Sequence, residues 1–404
     1  MELATWIRSL NRQLYNSVAP VLSCNVKPST LPSPIRPIRM TSPYANTGKT
    51  AAFKLALLGG VFFLIACGLG YPILNRFDPR QTPGLTDVKT YAALVTGAPA
   101  PDAGHVRFRM LVPWLARPFY LLAREGFAKR FASWDPVMFG LLVADSLFVA
   151  GTAVIIVILG VTLGSGQLQL QSPAVGLVGA LLYLLNFAVP NLRLVGLVDA
   201  GEGFFLLAVL WSLSEGELWV LPVIAVLGAL TKESFIPLSI VLTSAWWFST
   251  RAGRNQRRSS FLPEAAWILL SWALSLIAMI ALQWTITGRF VSSLAFGLAL
   301  HGGGDYLGSF AASLSDRNLW YVFVWLLPTA IPNLKRLPGT WLIPVGATCG
   351  MAFVLNGYFG GAPGTIGRAL FSIAGPILSL SSALLLLRIA GELGYASTPA
   401  GFRS

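Results

Sequence analysis

Ten apolar stretches divide this chain, at residues 53–74, 137–163, 174–189, 204–213, 218–230, 235–248, 265–287, 319–331, 341–355 and 369–387, with most charged residues between them. That pattern leaves few folds open. Apolar residues make up 55% of the 404 and charged residues only 11%, too little polar surface for two or three soluble domains of this total length. In hydrocarbon every backbone amide must be bonded internally, which selects helices for runs of this kind. The expected fold is all-α, a polytopic transmembrane helical bundle of about ten spans. Several stretches fall short of the ~20 residues a straight crossing needs. Tilted, kinked or partly re-entrant helices are therefore expected around residues 204–248.

The basic residues set the expected orientation. Arg251, Arg254, Arg257 and Arg258 share one loop, Lys335 and Arg336 form a second basic turn, and Arg388 follows the last stretch. Ten alternating spans put all of these on one side, together with Arg8, Arg12, Lys27, Arg36, Arg39 and Lys49 of the N-terminal tail. Both termini are thus expected to be cytoplasmic. The segment 75–136 falls on the outer side with nine lysines and arginines, an exception that long loops tolerate. Within it, residues 110–123 are apolar but interrupted by Pro113, Arg117 and Pro118, as expected of a helix lying on the membrane surface.

Three regions follow: a cytoplasmic tail over 1–50, a transmembrane domain over 51–390 that includes the outer loop 75–136, and a second cytoplasmic tail over 391–404. In the first tail Leu3, Trp6, Ile7, Leu10 and Leu14 recur at helical spacing opposite Arg8, Asn11, Arg12 and Gln13, the pattern of an interfacial helix. A Pro/Ser-rich run over 28–43 reads as a linker, and Met40 offers an alternative start. The net charge of +13 is spread between apolar stretches rather than gathered in a soluble domain. Anionic lipid or a phosphorylated substrate, not nucleic acid, is the expected partner. Cys24, Cys67 and Cys349 show no paired spacing, and two histidines cannot build a multi-histidine metal centre.

The same topology gathers ionisable residues at the outer rim. The first loop supplies Asp78, Asp87, Asp102, His105, Arg107 and Arg109, and later segments supply Arg193, Asp199, Glu202, Lys232, Glu233, His301, Asp305 and Arg368. Asp87 and Tyr91 stand four apart, on one helical face. Lys232 and Glu233 interrupt two apolar runs. They could simply neutralise a helix end, but two adjacent charges near hydrocarbon cost about 2.5–3.5 kcal/mol each, which favours function. Arg107, Arg109 and Arg368 have snorkelling to headgroups as their plain alternative. Asp145 lies inside the second stretch and is set apart as a partner for a neighbouring helix.

The run Leu-Thr-Asp87-Val-Lys-Thr-Tyr91, followed by Val-Arg107-Phe-Arg109-Met-Leu-Val-Pro113-Trp-Leu-Ala-Arg117, resembles the first outer loop of GT-C-type integral membrane glycosyltransferases, the bacterial polyprenyl-phosphate-sugar-dependent kind above all. The Leu-Thr-Lys232-Glu233-Ser segment is similar to that group, as is the plan of a long first outer loop carrying surface helices, then many short ones. The resemblance spans roughly residues 53–390, on short motifs. It departs where many members carry a soluble outer domain, since about 16 residues follow Arg388. An acceptor-recognition module is expected to be missing, or to be supplied by a partner subunit.

The resemblance implies a GT-C-like fold in a bacterial inner membrane and a sugar donor linked through phosphate to a polyprenyl chain held among membrane lipids. Asp87 would act as general base on an acceptor hydroxyl, and transfer would invert the anomeric centre. Arg107, Arg109, Lys232 and Arg368 would bind the donor phosphate. Tyr91, Asp199, Glu233 and His301 would contact substrate. No motif demands a cofactor, although a divalent cation between Asp87 and phosphate oxygens is compatible with the set. Two other functions fit the same composition: a transporter or flippase for lipid-linked sugars or other anions, and a non-catalytic membrane accessory subunit.

Overall fold

The computed structural model describes residues 48–76, 86–99, 104–127, 130, 134–167, 172–252, 261–288, 306–358 and 365–396. Among these the chain is all-helical, without a strand. In order, the helices are α1 (Gly48–Gly70), α2 (Pro72–Arg76), α3 (Thr86–Thr96), α4 (Leu111–Leu122), α5 (Pro136–Gln167), α6 (Ser172–Leu184), α7 (Asp199–Glu215) and α8 (Leu221–Thr231). They continue with α9 (Phe235–Ala252), α10 (Phe261–Thr287), α11 (Tyr306–Leu314), α12 (Arg317–Phe323), α13 (Leu326–Ala330), α14 (Gly339–Tyr358) and α15 (Thr365–Ala396). The expectations for the N-terminal tail before residue 48, for His301, and for Asp78, Asp102 and Asp305 fall outside the described residues.

Among the described residues, five segments are long and apolar enough to cross a membrane: Ala52–Leu74, Pro136–Leu163, Pro263–Thr287, Gly339–Gly357 and Thr365–Leu393. Of the other five apolar stretches, four form the shorter helices α6 to α9. The last, 319–331, is broken into α12, α13 and the start of a 3₁₀ turn at Ile331–Arg336. A 3₁₀ turn at Gly104–Phe108 precedes α4, and a π turn at Val189–Arg193 precedes α7. The final helix runs on to Ala396, past the expected boundary at 390.

Local chemistry explains the main boundaries. Asp135 caps α5, its Oδ1 accepting from the Val137 and Met138 amides at 2.7 and 3.3 Å, while Pro136 stands at the first position, where its missing N–H costs nothing. Asp316 caps α12 by accepting from the Asn318 amide. Burial then separates two classes of long helix. The spans of α5 and α15 are 67% and 78% buried and form the core with α7, whereas those beginning at Ala52 and Pro263 are 11% and 22% buried and turn leucine, isoleucine and tryptophan outward. Helices α5 and α6 touch backbone to backbone where Gly160 meets Gly176, a contact that any side chain at either position would prevent.

The expected surface segment after the first loop is helical. α4 buries Val112, Pro113 and Ala116, packs its Ala116–Tyr120 turn on Gly140 of α5, and exposes Trp114, Leu121, Leu122, Arg117 and Arg124. Its Met110 amide bonds to the Leu230 carbonyl at 3.0 Å. That single bond ties the first loop to the end of α8 and so carries Arg109 to the site.

Candidate functional site

The starts of α3, α7, α9 and α15 meet the finish of α8 at one end of the bundle. The charges suit the helix polarity. Asp87 lies in the first turn of α3, Asp199 and Glu202 in the first turn of α7, Glu233 just before α9, and Lys232 just past α8. Carboxylates are favoured at helix N-termini and ammonium groups at C-termini. Arg368, in the first turn of α15, is the exception, and a carboxylate faces it.

Arg109 organises one network. Its Nε and Nη2 donate to Glu233 Oε2 and Oε1 at 2.8 and 2.6 Å, and its Nη1 donates to Asp87 Oδ2 at 3.1 Å and to the Tyr91 hydroxyl at 3.0 Å. A planar guanidinium can hold this many oxygens in fixed directions, as an ammonium cannot. His105 Nε2 stands 3.4 Å from Glu233 Oε1, the oxygen that Arg109 also holds. Burial pushes the Glu233 carboxyl up, but Arg109 overrides it and holds the group at about 2. Burial likewise raises the Tyr91 phenol and lowers the His105 imidazole, while Glu233 pulls His105 the other way. Asp87 differs from its neighbours: its side chain is 38% exposed, against 19% for Glu233 and 9% for Arg109.

Lys232 anchors the second network. Its Nζ donates to Asp199 Oδ1 at 2.8 Å and Glu202 Oε2 at 3.0 Å, Ser234 donates to Glu202 Oε1, and Arg368 reaches Asp199 Oδ2 at 3.4 Å. Arg193, itself buried, donates to the main-chain carbonyls of Asp199 and Arg368 and to the Ser372 hydroxyl. Its guanidinium also lies over the Phe371 ring, 5.6 Å from the centroid. Burial raises the Asp199 carboxyl, yet Lys232, Arg368 and Arg193 together hold it far below the usual carboxylate range. Lys232 gains more from Asp199 and Glu202 than burial removes, so its ammonium is raised. Both acids here have a cation within hydrogen-bond reach.

The turn between α8 and α9 joins the two networks, because Lys232 serves one and Glu233 the other. Its shape comes from an apolar contact. The Phe235 ring lies on the bare backbone of Gly228, one helical turn before Lys232, and a methyl group there would collide with the ring. Lys232 therefore sits in extended backbone with its amide on the Gly228 carbonyl, and Phe235 closes back on the Lys232 carbonyl at 3.1 Å.

Among the residues singled out in the sequence, Asp87, Tyr91, Arg109 and Glu233 fall in the first network and Asp199, Lys232 and Arg368 in the second. Arg107 turns elsewhere. Its guanidinium lies over the Phe108 ring, 5.2 Å from the centroid, because the tight 3₁₀ turn sends residues 107 and 109 in different directions. Arg193, Glu202 and His105 belong to the rim set read from the sequence without a site role, Ser234 lies in the Leu-Thr-Lys232-Glu233-Ser run, and Ser372 carries no signal in the sequence. Glu202 had a usable signal, standing three residues after Asp199 on one helical face. Arg193 had none, since its acceptors are mostly main-chain oxygens. Arg109, Lys232 and Arg368 all come with carboxylate partners, so an incoming phosphate would share them. Among the described residues no group of three or more His, Cys, Asp or Glu is placed to hold a metal ion. Comparison with protein-family models, curated proteins and solved structures returns no match.

Proposed function

We propose that this chain is a GT-C-like membrane glycosyltransferase that moves a sugar from a polyprenyl-phosphate donor to an acceptor hydroxyl at the non-cytoplasmic face. The shorter helices would complete about ten crossings beside the five long ones, in a bacterial inner membrane with both termini cytoplasmic. The observation that carries this is the Arg109 bridge. It joins Asp87 of the first loop to Glu233 of the α8–α9 turn, with the second, cation-rich network immediately alongside.

Asp87 is the reacting carboxylate. It is the most exposed of the four acids, and Arg109 fixes its orientation through one oxygen. As the acceptor oxygen bonds to the anomeric carbon, Asp87 takes the hydroxyl proton. The bond from that carbon to the phosphate oxygen breaks, and the polyprenyl phosphate leaves with the electron pair. Attack opposite the leaving group inverts the centre. Lys232 and Arg368 share their charge with the departing phosphate, the main electrostatic demand of the step. Tyr91 and Glu233 set the position of Arg109, and Asp199 sets that of Lys232. The test is sugar transfer in membranes with Asp87→Asn, at matched protein level. Loss of turnover is expected, and wild-type turnover removes Asp87 from the role of base.

One observation favours a transporter as the second reading. Asp145 lies inside α5, fully buried, with the Gly196 main chain beside its carboxyl and no side-chain hydrogen bond to it among the described residues. Ionisable residues at membrane depth commonly serve translocation. Passage of a lipid-linked sugar across sealed vesicles without covalent change, abolished by Asp145→Leu, would establish that reading.

A further inference from the structure

The proposed reaction leaves His105 unused. It stands on the 3₁₀ turn Gly104–Phe108, outside the five long apolar segments, with its side chain 28% exposed. Its Nε2 lies 3.4 Å from Glu233 Oε1, and Arg109 Nη2 lies 2.6 Å from the same atom. One carboxylate oxygen is thus shared between a permanent cation and a group that becomes a cation only on gaining a proton. The other described charges facing this imidazole are Asp87 on α3 and Lys232 on the α8–α9 turn, with Arg107 beside it on its own turn. α10, which packs against the turn, contributes no charge near it, since its one acidic residue, Glu264, lies at the far end.

We propose that His105 is a proton-operated latch on the Glu233–Arg109 pair, so that the site takes up one proton together with the single negative charge of a phosphodiester. This rests on the phosphate-donor reading above and adds a condition to it. With His105 neutral, Glu233 is committed to Arg109, and the guanidinium charge is spent inside the protein. With His105 protonated, Glu233 has a second cation, and Arg109 holds positive potential to offer an anion. Coupling of this kind is reciprocal: if a proton favours the anion, the anion favours the proton by the same factor. The free imidazole is held below its ordinary value chiefly by burial, so at neutral pH the latch is closed until an anion arrives. His105 is a positioning residue here, acting on the donor through Glu233 and Arg109.

The experiment uses the full chain in lipid nanodiscs without a histidine tag, labelled at histidine. The sequence holds only His105 and His301, so a His301→Gln sample assigns both imidazole signals by NMR. The probe is a short-chain prenyl methyl phosphodiester, whose one charge is constant across the pH range used. We expect the probe to move the His105 midpoint upward by about one pH unit, equivalent to about tenfold tighter binding of the protonated form. Direct binding should strengthen severalfold from pH 7.5 to 5.5 in the wild type and stay constant in His105→Gln. Binding that does not change with pH, or a His105 midpoint that the probe leaves in place, overturns the latch while leaving the donor reading intact. No binding at any pH overturns both. Since no step requires turnover, failure of Asp87→Asn to abolish sugar transfer would leave these outcomes readable.

Discussion

The two charged networks lie side by side and each sets an Asp and a Glu around one central cation, yet they are finished differently. Around Lys232 the acids are sealed: the Asp199 and Glu202 side chains are 7% and 1% exposed, and the Lys232 ammonium lies within 3.0 Å of both. Around Arg109 one edge is open, with Asp87 at 38% and a titratable imidazole on Glu233. Buried ion pairs seldom add net stability, but removing one partner leaves a charge stranded. The sealed network thus fixes where helices begin and end, and the open one keeps a carboxylate in reach of a substrate. Location alone would not have separated these roles.

Substitutions can break that contrast or sharpen it. The largest effect on chemistry is expected at the open edge: Asp87→Asn should lower sugar transfer by about 10²–10⁴-fold, the usual contribution of a general base. Its melting temperature should hardly move, because so exposed an ion pair adds little to stability. The largest effect on stability belongs to the sealed network. Asp199→Asn removes the carboxylate that Lys232 shares with Glu202 and that faces Arg368, and should cost about 3–5 kcal/mol, read as a lower melting temperature and loss of folded protein from detergent extracts. If Asp87→Asn unfolds the chain and Asp199→Asn does not, the assignment is reversed.

Arg109→Lys comes next. It keeps the charge and loses the fork, so Asp87 and Glu233 should no longer be held together, with a drop of about 10–100-fold in transfer. Acid gives a smaller, graded effect. Glu233 is held at about 2, below the ~4.3 of a free glutamate, and Asp199 is lowered in the same direction. Depressed carboxyls contribute stability that is complete above their unfolded values and disappears as the pH falls through the folded ones. These two carboxyls should therefore leave the melting temperature level down to about pH 5 and lower it between about 4 and 2, less steeply in Glu233→Gln, while the lowered His105 imidazole adds a shallower decline below about 6.5. Replacement of Arg107, whose guanidinium lies over Phe108, should be smallest of all, within about twofold in transfer.

Helix content was legible in the sequence because apolar run length and backbone satisfaction in hydrocarbon speak directly to it. The number of long helices was less so. The stretch 319–331 reads as one apolar block, but Asp316 starts one short helix and Pro328 and Pro332 accompany the breaks that follow. In the site, Asp87, Lys232 and Glu233 stood out because charge beside apolar residues is costly wherever it lies. Arg193 did not stand out, since its work is done on the carbonyls of Asp199 and Arg368, and a main-chain acceptor leaves no mark in a residue string. Arg107 and Arg109 looked equivalent until the backbone between them was known.

Phe235 resting on Gly228 means that the α8–α9 corner takes its form from a greasy ring and an empty space, neither of which carries charge. The Lys232 ammonium and the Glu233 carboxylate are thus aimed from behind by the corner and gripped from the front by their own partners. A single Gly228→Ala exchange should shift both at once, although it alters neither.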